Sequence, residues 1–190
     1  MAADATPARR RWTDVLRYGW PTALAVALAV LTVDGGDLTG QVHGLAEVLP
    51  LLPLLYLVAA KLKRPGVSWP LLGIGMVLII GLRLLDVVPP SAVFIAIALV
   101  VLIWGAVDGE LHRPGDFRLQ ALAMAGFGAL GLIALAVEPE LGRYLVAAGW
   151  IGHGVWDFVH LWRDKVVARS YAQWCGVFDV LIGVELLFLV

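Results

Sequence analysis

The chain of 190 residues has a single cysteine, Cys175, and is poor in charge, with 14 Lys and Arg against 15 Asp and Glu, or 15% in all. One thiol excludes an internal disulfide, a paired-cysteine redox motif and a cysteine zinc site. A net charge of −1 leaves no basic excess to neutralise a phosphate backbone, so nucleic acid is not an expected partner. No window alternates apolar with polar residues, and strands are therefore not expected. There is also no phosphate-binding glycine loop and no GxSxG elbow in a strand-to-helix setting. What the sequence has in excess is apolar: 61% of residues, with a mean hydropathy of +0.87. Soluble domains run at about 45–50%. That is more apolar surface than one core can hide, and the expected solvent for most of it is lipid.

Seven stretches approach the roughly 20 apolar residues that a helix needs to cross a bilayer. They cover residues 18–33, 42–60, 68–88, 91–107, 119–137, 142–162 and 171–190. The breaks carry turn chemistry, as in Asp34-Gly35-Gly36-Asp37, Arg64-Pro65-Gly66, Pro89-Pro90 and Arg113-Pro114-Gly115-Asp116. The expected fold is an all-α integral membrane bundle of seven transmembrane helices forming one domain over 18–190, preceded by a basic cytoplasmic tail over 1–17. The first stretch reads as a span rather than a cleaved leader, since no small-residue cleavage site follows its apolar core. With the N-terminus inside and the C-terminus outside, twelve of the 14 basic residues fall on the cytoplasmic side, leaving Arg143 outside and Arg83 within the third span. Trp12, Trp20, Trp69, Trp104, Trp162 and Trp174 then lie near the inner interface. The localisation implied is a multi-pass protein of the cell membrane. Its partners are the lipid bilayer and, left open, a second copy or other membrane subunits.

Ionisable groups inside a span cost about 2.5–3.5 kcal/mol each on insertion scales, so those that persist often mark function. The sixth span carries His153, Asp157 and His160 at i, i+4 and i+7, within roughly 60° of one helix face. Two imidazoles and a carboxylate on one stripe suit a divalent, zinc-like metal ion. The same groups can relay protons, or can simply bond neighbouring helices. Asp179 in the seventh span should reach the depth of Asp157, which makes Asp157 and Asp179 the candidate catalytic carboxylates. Glu185 lies about 120° round that helix from Asp179 and is expected to face elsewhere. Toward the outer side, Glu47 and Arg83 fall at similar depth, as an ion pair or as part of a relay. His43, with Asp34 and Asp37, can extend that group into a shallow cation site. Asp108, Glu110, His112 and Asp116 read as an ordinary solvated loop. Gly126, Gly128 and Gly131, with the Ala148/Gly152 ridge, are expected to let helices approach closely.

His43-Gly44-Leu45-Ala46-Glu47 and His153-Gly154-Val155-Trp156-Asp157 look like a repeat four spans apart, but their expected depths disagree. Lys61, Lys63 and Lys165, the only lysines, all lie at the inner surface, so no amine is placed for a retinal Schiff base. Two imidazoles at one depth on facing helices, as a di-haem site needs, are lacking as well. The pentapeptide from His153 to Asp157 is similar to the late-helix metal motif of the seven-helix membrane hydrolases that include alkaline ceramidases and progestin/adiponectin-type receptors. Those pair histidines four apart, where this chain has Asp157, and the likeness covers five residues of 190. It implies a metal-dependent hydrolase acting on a lipid-like substrate. The residues themselves leave open a proton- or cation-coupled transporter and a non-catalytic membrane subunit.

Overall fold

The computed structural model describes residues 7–32 and 37–188, and among them there are only helices and turns. In chain order these are α1 (Pro7–Thr32), α2 (Leu38–Val48), α3 (Leu51–Leu62), α4 (Ser68–Leu85), α5 (Pro90–Val107), α6 (Asp116–Ala136), α7 (Pro139–Arg163) and α8 (Arg169–Phe188). Asp34 lies outside the described residues, and of the basic segment 1–17 only the helical backbone from Pro7 is described. Five helical stretches are long and apolar enough to cross a membrane: Leu38–Leu62, Pro65–Leu85, Pro90–Val107, Asp116–Ala136 and Arg169–Phe188. The apolar part of α1, Tyr18–Thr32, is shorter, and α7 is too polar to join the five.

The second expected span is two helices rather than one. Pro50 has no N–H to give the Ala46 carbonyl, so the ladder breaks between α2 and α3 while the backbone stays close to helical. The freed carbonyl abuts α6 at Gly131, where an added Cβ would lie 3.1 Å from it. Beyond the break, α3 is buried along almost its whole length from Leu51 to Lys61. Its all-round apolar character, expected to meet lipid, instead meets protein. The helix is the post around which α4, α5 and α6 are packed. α4 contributes most to the exterior, with Ile74, Val77, Ile80 and Leu84 exposed.

The tightest pairing is between α7 and α8, antiparallel across a short turn. Glycines set their separation. A Cβ at Gly154 would lie 2.7 Å from Val180 and 3.0 Å from the Gly176 carbonyl; one at Gly183 would lie 2.6 Å from Ile151 and 2.9 Å from the Ala147 carbonyl. Of the ridge expected to do this work, Ala148 is exposed, so the close face is the neighbouring one through Ala147 and Gly154. The turn itself is pinned by Ser68 of α4, whose Oγ accepts the Ala168 N–H at 3.0 Å and donates to the Pro65 carbonyl.

Asp108 and Glu110 are not merely solvated. Lys61, nearly buried at the end of α3, bonds Asp108 Oδ2 at 2.5 Å and Glu110 Oε2 at 2.8 Å, with its ammonium 4.7 Å from the Trp104 ring centroid. Lys63 adds a 3.3 Å contact to Glu110. This clamp ties α3 to the α5–α6 connection and marks what is called here the basic end of the bundle.

Two predictions follow from this packing. Gly183→Val, which forces a side chain against a backbone carbonyl, should destabilise by about 1–3 kcal/mol or more, whereas Gly73→Val, where nothing lies within 4 Å, should be near neutral; thermal unfolding in lipid compares them. The Lys61 hydrogen bond, foremost, holds the Glu110 carboxyl below its ordinary range. A depressed carboxyl stabilises the fold fully above the unfolded value of about 4.3 and loses that contribution as pH falls through the folded value. Acid titration of stability should therefore be shallower in Glu110→Gln than in the parent, with no difference in slope between pH 6 and 8.

Candidate functional site

α7 places His153, Asp157 and His160 on its buried face, and α8 brings Asp179 to the same level; all four are essentially inaccessible. His153 Nδ1 lies 2.8 Å from Asp179 Oδ2 and 3.2 Å from Asp157 Oδ2. On the other side of Asp157, the Tyr56 hydroxyl of α3 donates to Oδ1 at 2.5 Å. One ligand atom from each of His153, Asp157 and Asp179 lies within 4.8 Å of the others. Three polar atoms of this group, His153 Nε2, Asp157 Oδ2 and Asp179 Oδ1, are buried without a hydrogen-bond partner.

His160 belongs to a separate, closed arrangement. The Trp156 indole N–H can only donate and meets Gln120 Oε1 at 3.1 Å, which turns the Gln120 amide nitrogen toward His160 Nε2 at 2.9 Å. Nε2 must then accept, so the proton sits on Nδ1 and is donated to the Trp156 carbonyl at 2.9 Å. This is a tautomer assigned from the network. With both nitrogens engaged, His160 is not among the converging atoms. Asp179 takes the place that the spacing along α7 had assigned to it.

Tyr56 joins the two halves. Its ring meets His153 edge-on at 5.5 Å between centroids and His160 at 4.9 Å. Tyr56, Gln120 and Trp156 are the site residues that sequence reasoning passed over, because it weighed only ionisable groups. The available signal was a tyrosine within the second apolar window and an amide at the start of the fifth.

The remaining candidates lie elsewhere. Glu185 has a buried, unpartnered Oε1 and, with Thr32, Gln41 and Leu45, lines a cavity of about 50 Å³ between α8, α1 and α2. Arg83 donates to the Gly44 carbonyl at 3.1 Å, and among the described residues no ion pair joins it to Glu47. Arg83 stands on the exposed side of α4, where its guanidinium reaches a backbone carbonyl of α2 in place of the Glu47 carboxylate. Glu47, Arg83, His43 and Asp37 instead line an open cavity of about 420 Å³ at the end opposite the basic one. Asp37 is engaged as the N-cap of α2, accepting the Gly40 N–H at 3.2 Å.

The chemistry open to the central group follows from its charge. Two carboxylates and a neutral imidazole carry −2, which the surrounding apolar packing cannot screen. One divalent cation, or two protons, makes the group neutral.

Two measurements check this geometry. Tyr56→Phe removes the only donor to Asp157 Oδ1 among the described residues and should cost about 1–3 kcal/mol in thermal or denaturant unfolding. Histidine ¹⁵N spectra should show a neutral Nδ1–H tautomer for His160 that is lost in Gln120→Leu.

Compared with family models, with curated proteins and with solved structures, the chain finds no match, so its function is argued from this geometry.

Proposed function

We propose that the chain is a membrane protein whose working centre is a divalent, zinc-like metal ion held by His153, Asp157 and Asp179, and that the ion activates water to hydrolyse a lipid-like substrate. The observation that carries this reading is the convergence of three ligand atoms, from two helices locked together by glycine contacts, in a place where two carboxylate oxygens lack any donor. One nitrogen and two oxygens suit a borderline ion, and three protein ligands leave a position for water, as catalytic zinc sites do. Tyr56 fits the role of an outer partner that fixes the orientation of Asp157.

Within that reading the division of labour is specific. A divalent ion held by His153, Asp157 and Asp179 would supply one thing, a lower pKa for the attacking water. Asp179 Oδ1, with no other partner, is placed to accept the proton as the water oxygen attacks the carbonyl carbon of an ester or amide. The bond to the leaving alcohol or amine then breaks, and the proton passes to that leaving group.

A second reading rests on the same charge argument. If two protons rather than one divalent cation neutralise the group, the residues form a proton-loading site of a coupled transporter, and the buried Glu185 oxygen on α8 supplies a further titratable station.

Elemental analysis separates the two. Protein purified under metal-replete conditions should carry about one equivalent of ion, lost in Asp179→Asn and His153→Gln and kept in His160→Gln and Glu185→Gln. A metal-free parent overturns the hydrolase. In that case acidification of proteoliposomes under a pH gradient, abolished by Asp179→Asn, is the expected result of the second reading.

A further inference from the structure

The two nitrogens of His153 are unequal. Nδ1 is turned to Asp179 and Asp157, while Nε2 has no partner although the side chain is 0% exposed. Two rings pack edge-on against the imidazole. Tyr56 comes from the interior and is itself fully buried. Phe127 comes from α6, with its centroid 5.3 Å away, and is only half-buried. It stands on the seam where α6 and α7 meet at the outside of the bundle.

Around Phe127 the seam is thin, with Leu130 of α6 and Trp156 of α7 lining it to either side. Gly126 and Gly128 flank Phe127, and Gly152 faces it so closely that a Cβ there would sit 3.3 Å from the ring. Ala125, Gly126, Ala129 and Ala148 are exposed along the same strip, and a Cβ added at Gly126 would meet nothing within 4 Å. On this side the half-buried Phe127 ring stands between His153 and the exterior, and a change of rotamer is the ordinary way for a phenyl ring to leave such a place. At mid-helix that exterior is expected to be hydrocarbon.

The aqueous approaches are less direct. A cavity of about 540 Å³ opens at the basic end, lined by Lys63, Glu110, Arg113, Asp116 and Phe117 among others, and neither it nor the cavity at the opposite end is lined by His153, Asp157 or Asp179. One helical turn further in from Phe117 of α6 and from Asp164, which caps α7, stand Gln120 and His160, hydrogen-bonded to each other and to Trp156. The Phe117 ring occupies a slot that exists because residue 105 is glycine: a Cβ there would lie 2.0 Å from the ring.

We infer that the α6–α7 seam at Phe127 is a lateral port, through which an apolar ester or amide dissolved in the bilayer reaches the His153/Asp157/Asp179 centre. The substrate class rests on the hydrolase reading; the position of the port does not. Phe127 is the residue displaced, and the strip of alanine and glycine is the surface along which an acyl chain lies.

Carbodiimides test the route, because they react with carboxyl groups and can be chosen for solubility. Metal-free full-length protein in phosphatidylcholine nanodiscs is treated with dicyclohexylcarbodiimide or with a water-soluble carbodiimide, and adducts on Asp157 and Asp179 are mapped by mass spectrometry. The apolar reagent should label these residues faster than the soluble one. Phe127→Ala should raise its rate about tenfold, an opening step easier by about 1.4 kcal/mol, and Gly152→Leu should lower it. Labelling of Glu185, away from the seam, should stay constant and reports that each variant is folded. Equal labelling by the two reagents, or a rate indifferent to Phe127→Ala, overturns the port. Metal stoichiometry is read on separate samples. An indifferent rate with bound metal removes the port and keeps the centre; a responsive rate with no metal keeps the port and removes the centre.

Discussion

Keeping two carboxylates and an imidazole away from water is the constraint on which the rest of this molecule depends. His153 and Asp179 meet at 2.8 Å only because α7 and α8 run with their backbones nearly touching, and they run so because Gly154, Gly176 and Gly183 present no Cβ where the partner helix passes. Separate the helices by one methyl group and the contact lengthens past hydrogen-bonding range. The charges would then be buried without compensation, which costs several kcal/mol per ion. Packing and electrostatics are one interaction here, seen from its apolar and its polar side.

The other helices serve that pair. α3 supplies the Tyr56 hydroxyl from a position buried along almost the whole helix, beyond the break in the ladder at Pro50. α6 supplies Gln120, which satisfies both Trp156 and His160 and so keeps the second histidine neutral and occupied. At the basic end, Lys61 fastens the foot of α3 to the connection that leads into α6. Two of the helices that contribute to the centre, α3 and α6, are thus joined at a level below it.

Much of this was legible in the sequence, and for identifiable reasons. Apolar run length and turn residues located α4 to α8 to within a few positions, because both reflect local chemistry, whereas α1 begins at Pro7, well ahead of its apolar run, and the second run is divided into α2 and α3. The spacing of His153 and Asp157 put them on one face, and the antiparallel return of α8 put Asp179 at their depth. Which side chains actually meet depends on helix rotation and on contacts between distant segments. Thus His160, collinear with the others, is drawn off by Gln120 of another helix, and Arg83 finds the Gly44 carbonyl. Asp108 and Glu110 looked like loop acids since nothing in their neighbourhood in sequence announces that Lys61 is buried beneath them. Pro50 and Pro53 were visible in the second span, but a proline in an apolar helix indicates a defect in the ladder without saying which carbonyl is released or against what.

The polarity of α7 has a consequence for how far it depends on its neighbour. Its residues do not make it apolar enough to stand among the five helices that can cross by themselves, whereas α8, which follows after a turn of a few residues, does qualify. A segment that loses by transfer to hydrocarbon alone can gain when its polar face is already covered. The helix that covers it is α8, the next in the chain, and the cover includes the contact of His153 with Asp179, so the polarity of α7 and the closeness of α8 are two sides of one requirement.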